Sequence, residues 1–147
     1  MAHPNILLLF VDQMRYDAMA CAGNPVTRTP SLDRIADEGM NFTHAVTPVP
    51  VCVAARHSLV TGHRCATHGR FGNNLPSPEP NLYTLPQLLG TAGYQTRAIG
   101  KMHWMPPRRH HGFHRMELME EIPKCREEDE YLTYLNRVGY GHIRQVH

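Results

Sequence analysis

The chain has 147 residues, 41% hydrophobic and 19% charged, which is typical of one folded domain and excludes an intrinsically disordered chain. The net charge of +2, with histidine counted as neutral, is too small to indicate a nucleic-acid partner or binding to an anionic membrane. The four cysteines form no Cys-x-x-Cys pair, which excludes a zinc knuckle and a thioredoxin-like redox site.

The first predicted element is the apolar run of residues 6–11, which ends at Asp12. Its continuous hydrophobicity is typical of a central strand that is covered on both faces. The run is too short for a membrane-spanning helix, and the basic segment of a signal peptide is missing before it. We therefore expect a buried strand, a cytoplasmic location and no membrane partner.

The next segments alternate between helix and strand. Residues 29–42 predict a helix that Ser31 caps and Gly39 ends, and residues 40–46 predict a short strand. A second helix is expected over residues 54–62, where the final glycine ends it. This succession already favours a layered α/β arrangement.

The helix-then-strand pattern repeats in the second half of the chain. Thr84 is expected to cap a helix, with Pro86 in its first turn and Gly93 at its end, and residues 94–99 predict a strand. Residues 105–116 predict a basic loop. Residues 126–141 predict an amphipathic helix whose inward residues are Tyr131, Leu132, Leu135 and Val138. Alternating helices and strands indicate an α/β fold with a mostly parallel sheet.

Polar residues follow two of the predicted strands directly. Asp12 and Gln13 follow residues 6–11, and Lys101 and His103 follow the later strand. Functional sites in parallel sheets form at the carboxyl ends of the strands, so we expect the two pairs at the same edge. Oxygen ligands suit a hard cation, and a Lys and a His can bind an anion and move a proton. The alternatives are a turn capped by Asp12 and an ordinary basic loop.

Cys52 and Arg56 are one helical turn apart, and if Cys52 precedes or opens the second predicted helix, both can face one cavity. The positive potential of a helix N-terminus favours an anion or a thiolate there. The alternatives are a buried small hydrophobic residue and a solvated surface arginine. The loop histidines His110, His111 and His114 are expected not to be metal ligands.

Three blocks of the sequence, in this order, resemble the sulfatase family of the alkaline-phosphatase-like superfamily. Residues 4–17 are similar to the family's opening strand and metal-binding turn, residues 23–62 to its block around a Cys-x-Pro/Ala-x-Arg core, and residues 94–104 to its Gly-Lys-x-His segment. The resemblance implies an alkaline-phosphatase-like layered α/β fold, a mostly parallel central sheet flanked by helices, incomplete at the C-terminus. Residues 1–147 would be the N-terminal part of a sulfatase catalytic domain.

The resemblance also implies a reaction, the hydrolysis of a sulfate monoester of a small molecule or glycan. Cys52 would be oxidised to formylglycine by a formylglycine-generating enzyme. One hydroxyl of the hydrated aldehyde would attack sulfur, and the second would expel the sulfate, a release step that a thiol lacks. Asp12, Gln13 and the modified Cys52 would ligate a divalent cation, with Ca²⁺ expected and Mg²⁺ or Mn²⁺ as alternatives.

The remaining site residues carry over from the same motifs. Arg56 would hold the diol, Lys101 would bind a sulfate oxygen, and His103 would hydrogen-bond the diol or assist its collapse. Asn73 falls where the family often has an asparagine that lines the substrate pocket. The core reads Cys-Val-Ala-Ala-Arg, with alanine as its third residue, and Gln13 stands where many members have a second aspartate.

Family members are several times longer than this chain, and their other cation ligands lie further along. We therefore expect that the chain alone has no sulfatase activity and self-associates. Two other functions stay open, namely a phosphonate monoester or phosphodiester hydrolase of the same superfamily and a non-catalytic fragment that binds an anion or a partner chain.

Overall fold

A computed structural model describes residues 3–73, 81–120, 123 and 128–142 of the chain. The chain divides into two compact units, Met1–Val46 and Thr47–His147. Within the described ranges, none of the helices has the length and apolar character that a membrane crossing needs.

The first unit is held together largely by polar contacts around its longest helix. Its elements are the short 3-10 helices Tyr16–Ala18 and Ala20–Ala22 and the helix α1, Pro30–Glu38. The Asp33 carboxylate accepts hydrogen bonds from the Cys21 amide and from the Thr29 hydroxyl, both at 2.9 Å. The Thr29 hydroxyl in turn accepts from the Ala20 amide at 2.9 Å, so these side chains join the second 3-10 helix to α1.

Three predictions for the first unit are wrong. Residues 6–11 form no strand, and their side chains are 50% to 82% exposed. A buried strand needs partners on both edges, and no described strand pairs with this run. Residues 40–46 lie outside helices and strands as well. Thr29, and not Ser31, precedes α1, since Pro30 already occupies its first turn; Gly39 follows the last residue, as predicted.

The second unit combines helices with a parallel sheet. Its elements are α2 (Cys52–Thr61), α3 (Cys65–His68), α4 (Leu85–Thr91), β1 (Arg97–Gly100), β2 (Arg115–Leu118) and α5 (Glu130–Arg137). β1 and β2 pair in parallel, with Ala98 opposite Met116 and Gly100 opposite Leu118. The predicted α/β class is therefore confirmed, and the parallel pairing brings the carboxyl ends of both strands to one edge.

The predicted helix α4 is confirmed, and a strand follows it with different bounds from those predicted. Thr84 and Gln87 form a reciprocal capping box at the start of α4, and Pro86 lies in its first turn. Gly93 takes a left-handed backbone, with φ of 88°, just after the helix. The strand begins at Arg97 and is shorter than predicted.

The core of the second unit lies between α2 and the sheet. Its buried side chains are Val60, Ala98, Trp104, Met116 and Leu118, with Met102 and Phe113 packed against them. β2 contributes Met116 and Leu118 because alternate residues of a strand face the same side. The sequence reading missed β2, since it lies where the basic loop was predicted to end.

Two carboxylates at the start of α5 occupy the outer edge of β2. Glu130 accepts a hydrogen bond from the Leu118 amide at 2.7 Å, and Asp129 accepts one from the Glu120 amide at 2.8 Å. The other Asp129 oxygen caps α5 by accepting from the Leu132 amide at 2.8 Å. These side chains satisfy amides that a further strand would otherwise bind, so they fix α5 against the sheet.

The inward face of α5 is narrower than predicted. Leu132 and Leu135 are buried, whereas Tyr131 and Val138 are 47% and 42% exposed. The helix ends at Arg137, so Val138 lies beyond its last turn.

Candidate active site

Cys52 is the first residue of α2, where the backbone amides point away from the helix. The chain enters through Val51 in an extended conformation, and the side chain of Val51 cannot cap the helix. The helix then runs for 10 residues and ends at Gly62, whose left-handed backbone terminates it. The side chain at position 52 is partly buried and lies in the positive potential of the helix N-terminus.

Lys101 lies beside this cysteine. Its Nζ is 4.0 Å from Cys52 Sγ, although the two residues are 49 positions apart in the chain. Lys101 follows β1 directly, as predicted, so the carboxyl end of the strand delivers the ammonium group to the start of α2. The ammonium and the helix N-terminus together stabilise negative charge on any group attached at position 52.

Arg56 ties α2 to the segment that carries Lys101. Its Nη1 donates to the Lys101 carbonyl oxygen at 2.5 Å, and the residue is only 7% exposed. The alternative of a solvated surface arginine is therefore wrong for this structure. A buried guanidinium adds a second fixed positive charge close to Cys52 and holds the Lys101 backbone in place.

Asn73 also reaches the start of α2. Its side-chain oxygen accepts from the Val53 amide at 3.1 Å, and this contact satisfies one of the amides that the first turn leaves without a partner. Asn73 is thus adjacent to Cys52 through the helix backbone.

The backbone turns sharply around His103. Gly100 and His103 have φ angles of 101° and 51°, so the chain turns at both residues. Residues 101–103 therefore do not continue the extended backbone of β1. The His103 amide instead donates to the Glu120 carboxylate, at 2.9 and 3.1 Å to its two oxygens.

Asp12 and Gln13 belong to the first unit, where both are exposed. Gln13 has a left-handed backbone, with φ of 58°. The predicted sheet-edge position does not hold for this pair, because residues 6–11 form no strand. Among the residues that the structure describes, no three His, Cys, Asp or Glu side chains gather as a metal site.

A group of aromatic rings that sequence reasoning missed lies on another face of α2. The His57 ring meets Trp104 and His111 edge to face, each at 5.3 Å between centroids, and Trp104 lies 4.5 Å from His111. The loop histidine is therefore a packing residue. A cavity of about 380 Å³ lies beside these rings, and its lining includes His57, His68, Thr84, Gln87, Arg109 and His111.

Ser58 and His68 form a buried pair that is not a nucleophile with its base. Ser58 Oγ is 2.8 Å from His68 Nε2, and His68 Nδ1 accepts from the Arg70 amide at 3.1 Å. Neutral His68 therefore carries its proton on Nε2 and donates to the serine, which is the opposite of what a general base needs. Burial, followed by the charge of His57, lowers the pKa of His68 below its ordinary value.

Sequence reasoning had no means of finding two further functional candidates, Glu120 and Asp129. Asp129 is completely buried and Glu120 is partly buried, but both come from a charged segment that looks like a solvated helix face. A buried carboxylate with two amide donors is visible only once β2 and α5 are in place.

Comparison with known proteins identifies the family. The Sulfatase family model matches residues 4–142. An arylsulfatase of Clostridium perfringens is 44% identical over 115 residues, which is 78% of this chain and 24% of the relative. The ulvan-active sulfatase of Formosa agariphila is 38% identical, over 80% of this chain and 24% of the relative. Arylsulfatase A of Homo sapiens is 36% identical, over 76% of this chain and 24% of the relative.

The chain spans about a quarter of the length of these curated relatives. The family match agrees with the predicted alkaline-phosphatase-like α/β fold, of which the described residues show helices and a small parallel sheet. The motifs and the comparisons lead to one conclusion, namely that this chain belongs to the sulfatase family.

Proposed function

We propose that residues 1–147 form the N-terminal part of the catalytic domain of a sulfuric ester hydrolase in which Cys52 is converted to formylglycine. The observation that carries this proposal is the position of Lys101 Nζ, 4.0 Å from Cys52 Sγ. An ordinary buried cysteine gains nothing from a neighbouring ammonium, whereas a nucleophile that accepts a sulfuryl group needs one. The names of the relatives, which are arylsulfatases and other sulfatases, support the same reaction.

The family resemblance assigns a role to each of the proposed site residues. Formylglycine at position 52 would supply a hydrated aldehyde: one hydroxyl would attack sulfur as the ester S–O bond breaks and the alcohol leaves. Loss of the proton from the second hydroxyl would then re-form the aldehyde and release the sulfate. Lys101 binds a sulfate oxygen and offsets its charge. Arg56 holds the diol and the Lys101 backbone, and His103 assists proton transfer on the diol. Asn73 keeps the first turn of α2 in place and lines the substrate pocket.

We further propose that Asp12 and Gln13 supply oxygen ligands to a divalent cation. Carboxylate and amide oxygens suit hard ions, and Ca²⁺ accepts a neutral amide ligand readily. Such a cation supplies positive charge that polarises the sulfate ester.

The substrate class proposed is a sulfate monoester of a small molecule or glycan, and the maturation partner is a formylglycine-generating enzyme. A phosphonate monoester or phosphodiester hydrolase is the rival within the superfamily. The cytoplasmic location, the lack of activity of this chain by itself and its self-association stay predictions.

Peptide mass spectrometry tests the proposed modification. The chain is produced together with a formylglycine-generating enzyme and digested with trypsin, which releases residues 35–56 with Cys52 as their one cysteine. We expect the aldehyde at position 52. Cys65, in the separate peptide of residues 65–70, is the internal control and should stay a thiol.

One result would overturn the proposal, and a second assay distinguishes a sulfatase from a phosphonate monoester hydrolase. Only thiol at position 52, while a known sulfatase in the same cells is converted, would remove the proposed nucleophile. If the aldehyde forms, rates on an aryl sulfate and on an aryl phosphonate monoester separate the two hydrolases. That assay uses a polypeptide of the relatives' full length that carries this chain, with Cys52→Ala as the inactive control.

A further inference from the structure

The segment that carries Lys101 and His103 adopts a backbone that needs support. Gly100 accepts a φ of 101° without strain, but His103 has a side chain and a φ of 51°. Left-handed backbone is uncommon for residues other than glycine, and although histidine adopts it more often than most, surrounding contacts help to hold it. Those contacts therefore decide where this segment places its side chains.

Glu120 supplies the contacts. Its Oε1 accepts from the Met102 amide at 3.3 Å and from the His103 amide at 3.1 Å, and its Oε2 accepts from the His103 amide at 2.9 Å. Successive amides that converge on one anion form a small concave anion site in a turn, and here the anion is a side chain of the same protein. The carboxylate comes from the residues after β2, at the sheet edge where β1 ends.

Glu120 is itself held by a buried group. Its amide donates to Asp129 at 2.8 Å, and Asp129 is completely buried at the start of α5. The Met119 amide donates to the Gly100 carbonyl at 3.2 Å, which continues the sheet pairing up to the turn. The backbone of residues 119 and 120 is thus bound to β1 through the Met119 amide and to Asp129 through the Glu120 amide.

We infer that Glu120 is a positioning residue of this site, which holds the turn of residues 100–103 so that Lys101 stands against position 52. The chain of contacts runs from Asp129 to Glu120, from Glu120 to the amides of Met102 and His103, and from there to the Lys101 ammonium. Arg56 fixes the same turn from the α2 side through the Lys101 carbonyl. The inference rests on the proposed function only in giving Lys101 a catalytic role.

The test measures positive charge beside Cys52 without requiring formylglycine. The unmodified chain is alkylated with iodoacetate, which is anionic, and with iodoacetamide, which is neutral, and the rate at Cys52 is read from the peptide of residues 35–56. Both reagents react with the thiolate, so the ratio of the two rates reports the local charge and not the thiolate fraction. One unit charge at about 4 Å in water changes such a ratio by about fivefold.

We expect Glu120→Ala to lower the iodoacetate-to-iodoacetamide ratio by about fivefold, as far as Lys101→Met does. Glu120→Gln keeps one acceptor oxygen for the two amides, so its ratio should fall between those of the wild type and Glu120→Ala. Glu117→Ala is the matched control, since Glu117 pairs with Arg97 and Arg115 on the exposed side of the strands. This control should keep the wild-type ratio.

Circular dichroism and Trp104 fluorescence show whether each variant is folded. A folded Glu120→Ala with the wild-type ratio would overturn the inference. If Glu120→Ala does not fold, the ratio of Glu120→Gln tests the inference in its place. An unchanged ratio in folded Glu120→Gln would then overturn the positioning role of Glu120. The two proposals can fail separately. If Glu120→Ala lowers the iodoacetate-to-iodoacetamide ratio but Cys52 is never converted to formylglycine, the positioning role of Glu120 is supported and the proposed function is refuted.

Discussion

Replacement of Asp129 should lower the free energy of unfolding of the second unit. Two variants separate the contributions of the two hydrogen bonds that the Asp129 carboxylate accepts. One carboxylate oxygen caps α5 through the Leu132 amide, and the other accepts from the Glu120 amide, both at 2.8 Å. Asp129→Ala removes both acceptors. Asp129→Ser keeps a side-chain oxygen that can cap the helix, but it is too short to bind the Glu120 amide as well.

The expected free energies follow from the two contacts. Loss of an N-cap costs about 1 kcal/mol, and loss of a hydrogen bond to a charged acceptor costs about 1.5 to 3 kcal/mol. Relief of the desolvation of a fully buried carboxylate offsets part of the sum. We therefore expect Asp129→Ala to lower the free energy of unfolding by about 2 to 3 kcal/mol, and Asp129→Ser to lower it by about 1 kcal/mol less.

Trp104 makes the measurement specific to this unit, because it is the single tryptophan of the chain and is 2% exposed in the core. Urea unfolding followed by its fluorescence should show the midpoint of Asp129→Ala about 2 M below that of the wild type, for an m-value of about 1 to 1.5 kcal/mol/M. Asp37→Ala, in the first unit, is the control. Equal midpoints for Asp129→Ala and the wild type, or for the alanine and serine variants, would refute the two-bond account.

Two further predictions concern the loop before β2 and the buried histidine. Gly112→Ala should lower the free energy of unfolding by about 2 to 4 kcal/mol, because φ is 90° and a Cβ would lie 2.3 Å from Gln87 Cγ. Gly139→Ala has the same φ but open space around the new Cβ, so it should lower the free energy of unfolding by only about 1 kcal/mol. Equal losses in the two variants, measured by the same urea assay, would contradict this prediction. Burial, and then the charge of His57, lower the pKa of His68 from its ordinary 6.5, so the unfolded chain binds more protons below pH 6.5 and stability falls as the pH drops. The melting temperature should therefore fall less between pH 7.5 and 5.5 in His68→Gln than in the wild type or in the exposed-site control His63→Gln, and equal slopes would contradict the assignment.

Local signals in the sequence predicted the helices well where capping chemistry was strong. Thr84 and Gln87 meet across three residues, and Gly62 ends α2, so these features depend on neighbours along the chain. The run of residues 6–11 was misread because hydrophobicity records a tendency to be buried and does not supply partner strands. β2 was missed because it has only four residues, two of them at the end of the predicted basic loop, and so short an alternation does not stand out.

The residues of the site also differ in whether their positions depend on chain neighbours or on strand pairing. Cys52 and Arg56 are four residues apart on one helix, and Lys101 follows β1 directly, so their proximity follows from local sequence and strand order. Glu120 contacts the turn of residues 100–103 only because β1 and β2 run parallel and end together. Residue spacing cannot reveal that pairing, since the carboxylate is 17 residues away from the His103 amide that it binds.

The parallel register explains why the acidic residues that position the site follow β2. Gly100 pairs with Leu118, so the residues after each strand leave the sheet side by side. β1 continues into a turn that exposes amides and carries the Lys101 ammonium, and this turn needs an anion to close it. A carboxylate on the neighbouring segment, whose own backbone amide is bound by Asp129, accepts hydrogen bonds from those amides. The Lys101 ammonium therefore lies beside position 52, while the Glu120 carboxylate binds the backbone of the same turn.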